Sequence, residues 1–138
     1  MIVVDTSVIF PFFNDTEGTR MAHQVHEKDS AWLVPALWKD EYANVLAKFA
    51  RKAKMPWSNL RDHYQSVLDC LQPCEMPVDH VAVLKFAINH KVSAYDAQFA
   101  WLAQQHELFL VTEDQELIKQ VPNVALSMKH FASHSRCD

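Results

Sequence analysis

Ile2-Val3-Val4-Asp5-Thr6-Ser7 decides the fold class: three β-branched residues form an unbroken apolar run that ends on an acid and two hydroxyls. Such a run belongs to a strand buried on both faces, as in a parallel sheet with helices above and below it. Working outward, Trp32-Leu33-Val34 reads as a short strand stopped by Pro35, and Leu108–Val111 and Val124-Ala125-Leu126 read as two more. Cys74-Glu75-Met76 is a candidate edge strand. Helical patterning fills the intervals at Glu17–Lys28, Ala36–Lys52, Pro56 to about Leu71, and Val78–His90. Ser93 can cap a helix over Ala94–His106 that is apolar round most of its circumference and therefore central. Thr112 with Gln115 has capping-box form for a helix through about Gln120. Strands alternating with helices predict an α/β fold with a mostly parallel central sheet of about four to five strands.

With 138 residues, 49% of them hydrophobic, the chain is read as one domain over 1–138, with a terminal helix and polar tail from about 128. The one glycine, Gly18, excludes Gly-rich phosphate loops of both the dinucleotide and the Walker type. A net charge of −4 gives no whole-molecule attraction to nucleic acid, so any such binding needs a local basic patch. Three cysteines (Cys70, Cys74 and Cys137) are too few for a disulfide framework and suit a reducing cytosol, with Cys70 and Cys74 as small apolar residues. No stretch is long enough to cross a bilayer and no leader pattern opens the chain, so the expectation is a cytoplasmic protein.

Four acids stand where a soluble domain has little use for charge. Asp5 ends the first apolar run, and Asp114 closely follows Leu108–Val111. Glu41 lies between Leu37 and Val45 on a helix stripe, and Asp96 is the only formal charge between Lys91 and Glu107. Each has an ordinary reading: Asp5 could cap a helix, and Asp114 and Asp96 could sit in helix first turns. Asp5 and Asp114 fall at one edge of the sheet, outside the carboxyl ends of the strands. Asp96 can project to such an edge from its first turn, and Glu41 points inward from its helix. Two carboxylates about 4 Å apart repel by about 4 kcal/mol at an effective dielectric near 20. Several such pairs would rival the stability of a domain, about 5–15 kcal/mol, unless protons or a cation neutralise them. All-oxygen ligands suit Mg²⁺ or Mn²⁺, and a metal-bound water can attack a phosphodiester.

The chain resembles the PIN-domain ribonucleases, in particular the VapC-type toxins of type II toxin–antitoxin pairs. The motifs that carry the resemblance are Val4-Asp5-Thr6-Ser7, Pro35-Ala36-Leu37 running into Glu41 with Asn44 and Leu46, Tyr95-Asp96-Ala97, and Val111-Thr112-Glu113-Asp114. It implies a PIN-like fold and a metal-dependent endoribonuclease that leaves 5′-phosphate and 3′-hydroxyl ends. Asp5, Glu41, Asp96 and Asp114 then become the catalytic, metal-binding acids for Mg²⁺ or Mn²⁺. Thr6 or Ser7, with Thr112, would orient them. Glu113 makes the choice of acid beside it ambiguous, and Asp40 raises the same question beside Glu41 from a more polar face. The resemblance also implies an RNA substrate, a small cognate antitoxin and a homodimer. A PIN-like module that binds RNA or protein without cutting is the alternative.

Other signals compete. Lys48, Arg51, Lys52 and Lys54 are either a solvated helix end or a contact for RNA phosphates. His130 and His134, with Cys137 close behind, have helical spacing but lack a further ligand cluster for zinc. Trp57 and the run Phe10–Phe13 are candidates for partner surfaces, with core packing as the other reading. A haloacid-dehalogenase-type site needs a second Asp where Ser7 stands, and a receiver domain needs paired acids there.

Overall fold

The computed structural model describes residues 1–134. β1 (Ile2–Val4) leads into α1 (Thr6–Phe13) and α2 (Thr19–Lys28), then β2 (Trp32–Leu33). Four helices follow: α3 (Trp38–Ala53), α4 (Trp57–Leu71), α5 (His80–His90) and α6 (Ala94–Gln105). The chain continues through β3 (Leu110–Val111), α7 (Gln115–Gln120), β4 (Ala125–Leu126) and α8 (Met128–Ser133). The strands form one parallel sheet in the order β2-β1-β3-β4. Val3 pairs with Leu33 on one side and Leu110 on the other, so the first strand is central, as its apolar run requires. The expected edge strand at Cys74–Met76 reduces to a single bridge between Val34 and Glu75.

This order decides where a site can form. From β1 the chain crosses to β2 on one side, then returns through α3–α6 to place β3 on the other side of β1. The direction of winding therefore reverses between β1 and β3, and the carboxyl ends of those two strands flank an open crevice. Asp5 follows one strand and Thr112 the other.

α6 packs against β1 and β3. Ala97, Ala100 and Ala103 are fully buried and let the helix approach the sheet closely, while Phe99 and Leu102 fill the layer beyond. Several helix boundaries move inward from the expected ones for local reasons. Asp79, not Val78, starts α5: its carboxylate accepts from the Val81 and Ala82 amides at 3.1 Å each. With one glycine available, helix ends take left-handed conformations on Lys54 (φ 52°), Lys91 (φ 56°) and Glu107 (φ 57°), at a steric cost a glycine would avoid. Of the two cysteines read as small apolar residues, Cys74 is partly buried against the core and Cys70 is exposed. No helix among the described residues is long and apolar enough to cross a membrane.

Candidate active site

Asp5 is 9% exposed and caps α1. Its Oδ1 accepts from the Ser7 amide at 3.1 Å and from Ser7 Oγ at 2.5 Å, and its Oδ2 accepts from Thr112 Oγ1 at 2.5 Å. Both hydroxyls are themselves held: Glu113 N donates to Ser7 Oγ at 2.8 Å and Asp114 N to Thr112 Oγ1 at 3.1 Å. β1 and β3 are thus tied across the crevice through a carboxylate and two hydroxyls. The capping reading of Asp5 is correct, yet capping uses only one of its oxygens; the other faces the neighbouring strand.

Between Thr6 and Ser7 the structure selects Ser7. Thr6 Oγ1 is buried and has no hydrogen-bond partner among the described residues. Thr112 does not cap α7 as its capping-box pattern predicted. Asp114 is the cap, its Oδ1 accepting from Leu117 N at 3.0 Å, which releases the Thr112 hydroxyl to serve Asp5. Glu113, the competing acid, has a use of its own. Its Oε1 accepts from Met128 N, the first amide of α8, at 2.7 Å, beside the Ser127 cap of that helix, a tertiary contact with no sequence signal.

Glu41 and Asp96 complete the group. Asp96 lies in the first turn of α6, where Ser93 Oγ accepts from its amide at 3.0 Å and also hydrogen-bonds its carboxyl. Glu41 lies in the first turn of α3, next to Tyr42. The Tyr42 hydroxyl is buried, accepts from Asn14 Nδ2 at 2.9 Å and lies 2.8 Å from His63 Nε2. That network anchors α3, on which Glu41 stands, to the end of α1 and to α4. Asp40 is exposed on the polar face.

Electrostatics bring these acids together. Burial pushes Asp5 up to about 6, opposed by the Ser7 and Thr112 hydrogen bonds and assisted by the charge of Asp96. Burial, then Asp5 and Asp96, push Glu41 up to about 7. Burial and Asp114 raise Asp96. Among the described residues the ion pairs join Met1 to Asp29, Lys39 to Glu75 and Arg61 to Asp62, so no basic side chain compensates the four acids. Their donor chemistry, carboxylate oxygens without a counter-cation, of which Asp5 is buried, Glu41 and Asp96 half-buried and Asp114 exposed, fits a hard divalent ion. As the side chains stand, no three His, Cys, Asp or Glu groups among the described residues close round a common point. His130 and His134 are exposed with rings 4.6 Å apart, and Cys137 lies outside the described residues.

The raised acids set the sign of a pH effect. Between about pH 4 and about pH 7 the folded chain holds protons at Asp5 and Glu41 that the unfolded chain has released. The metal-free protein is therefore expected to lose stability as pH rises through that window, at up to about 1.4 kcal/mol per pH unit for each proton involved. Urea midpoints at pH 4.5 and 7.5 measure it. A higher midpoint at pH 7.5 would show the acids to be compensated.

The chain belongs to the PIN domain family, whose profile matches residues 2–123. It is 35% identical over 79 residues to a protein named Exonuclease VapC9 from Pyrobaculum aerophilum, across 56% of this chain and 58% of that one. The match thus spans little more than half of that relative's length. Among solved structures, PAE2754 from Pyrobaculum aerophilum superposes with a TM-score of 0.70 at 22% identity, covering 95% of this chain and 92% of that chain. FitAcB from Neisseria gonorrhoeae gives 0.69 at 18% identity, covering 94% and 99%. At these identities the structural likeness speaks for the fold.

Proposed function

We propose that this PIN-domain chain is a metal-dependent endoribonuclease and the toxin of a toxin–antitoxin pair, acting in the cytoplasm. The observation that carries the reading is the uncompensated set Asp5, Glu41, Asp96 and Asp114 at the reversal point of the sheet, with Asp5 gripped by Ser7 and Thr112. Mg²⁺ or Mn²⁺ held by these acids supplies charge for the phosphoryl oxygens and acidifies water at neutral pH. The chain's own contribution is positional. Ser7 and Thr112 hold the Asp5 carboxylate from both oxygens, Asp114 and Asp96 start helices at the same edge, and the Tyr42 anchor holds Glu41 over it. A purely binding module has no need to hold such a set of acids without a counter-cation.

The partner proposals draw support from exposed apolar surface. Trp57, 70% exposed, borders a groove between α3 and α4 lined also by Leu46, Leu60 and Tyr64, which suits an apolar helix face of an antitoxin. Val81, Leu84 and Ile88 form an exposed stripe on α5, at 80%, 56% and 69%, which suits a second copy of this chain. Phe10–Phe13 are partly buried instead: Phe10 packs on Phe49 and Tyr42, and Phe12 on Phe13 and Trp32.

The relative's name says exonuclease, so the test uses a covalently closed circular RNA, which has no ends. Purified protein with Mn²⁺ is expected to linearise it, leaving a 5′-phosphate, and EDTA to stop the reaction. Degradation confined to linear RNA would replace the endonuclease reading with an exonuclease one. Cleavage undiminished by EDTA would remove the metal.

A further inference from the structure

We propose that Lys48 and Lys52, and not Arg51 or Lys54, form a track on α3 for the phosphodiester backbone of the strand whose scissile bond lies at the acids; this rests on the ribonuclease reading. Lys48 and Lys52 follow Glu41 by seven and eleven residues, close to two and three whole turns of a helix. They therefore share its stripe, about 10 Å and about 16 Å along the axis, a span matching a few nucleotides of extended strand. Arg51 lies roughly 80° round the helix from that line. Lys54 lies beyond the helix, in the left-handed capping conformation.

All four cations are exposed, and none has an ion-pair partner among the described residues. The C-terminal dipole accounts for cations in the last turn, Arg51 and Lys52, but its effect fades before Lys48. The apolar groove uses Ala43, Leu46 and Ala47, on another side of α3, so the track does not compete with that surface. With a net charge of −4, the chain needs a local feature of this kind to attract a polyanion.

The test is fluorescence anisotropy of a labelled single-stranded RNA of mixed sequence, in EDTA, across NaCl concentrations. Proteins compared are the wild type, Lys48→Gln with Lys52→Gln, and Arg51→Gln with Lys54→Gln. Gln keeps helix propensity at these exposed positions, and melting temperatures check the fold. Each phosphate contact on a single strand contributes about 0.7 to the slope of log Kd against log salt. The Lys48/Lys52 pair is expected to lower the slope by about 1.4, and the Arg51/Lys54 pair by less than half of that. An unchanged slope for the first pair, or equal losses for both pairs, overturns the track while RNA binding by the wild type leaves the ribonuclease reading in place. A wild type that binds no RNA overturns both.

Discussion

Asp5→Asn is expected to lower cleavage of circular RNA at least about 100-fold at saturating Mn²⁺ while the protein stays folded. Both oxygens of Asp5 accept hydrogen bonds, Oδ1 from Ser7 and Oδ2 from Thr112. An amide keeps the shape and one acceptor, so α1 retains a cap, because Asn and Asp cap comparably well. What disappears is the charge. Losing a group that merely orients a metal ligand already costs about 10–100-fold in affinity or activity, and losing a charged ligand costs more. Initial rates, with circular dichroism to confirm the fold, measure the effect. Activity within a few-fold of wild type would reduce Asp5 to a helix cap and move the chemistry elsewhere.

Asp96→Asn is expected to have opposite effects on the metal-free and the metal-loaded protein. Asp96 is raised by burial and by Asp114, and its own charge raises Asp5 and Glu41. The cap of α6 is made by Ser93 to the Asp96 amide, which the substitution leaves untouched. Removing the charge therefore relieves repulsion, and the amide oxygen can still accept from the Ser93 hydroxyl that now bonds the carboxyl. Relief of about 1 kcal/mol corresponds to a rise of roughly 4 °C in the metal-free Tm for a chain of this size. With Mn²⁺ at about 100 times its Kd, the wild type gains about 2.7 kcal/mol by mass action and the variant gains less, so the order inverts. Differential scanning calorimetry in EDTA and in excess Mn²⁺ reads both. A variant that melts below wild type in EDTA would mark the carboxylate as a structural partner.

Much of the architecture was legible because its signals are local. Ile2-Val3-Val4 announces a strand covered on both faces, and the alanine-rich face of the helix after Ser93 announces a central helix. Asp5 and Asp114 sit just past strands, so the element order alone brings those two to one edge. Illegible were the choices that depend on residues far apart in the chain. Thr112 has two possible uses, capping α7 or serving Asp5, and only the parallel pairing of β1 with β3 decides between them. Glu113 looks like a competing acid until α8 folds back to present Met128 N to it. The phenylalanines of α1 read equally well as surface or core until Phe49, Tyr42 and Trp32 arrive from other elements. The exposed stripe of α5 shares the pattern of an ordinary amphipathic helix, whose apolar residues are normally covered by the same chain.

The central claim is that four acids from four separate segments form one divalent-cation site. Calorimetric titration of Mn²⁺ into the metal-free wild type and into Asp5→Asn, Glu41→Gln, Asp96→Asn and Asp114→Asn tests it most directly. The account predicts saturable binding by the wild type, weakened by each substitution, with proton release that grows as pH falls from 7.5 towards 6. Wild-type protein that takes up no Mn²⁺, or four variants that bind it as the wild type does, would contradict it.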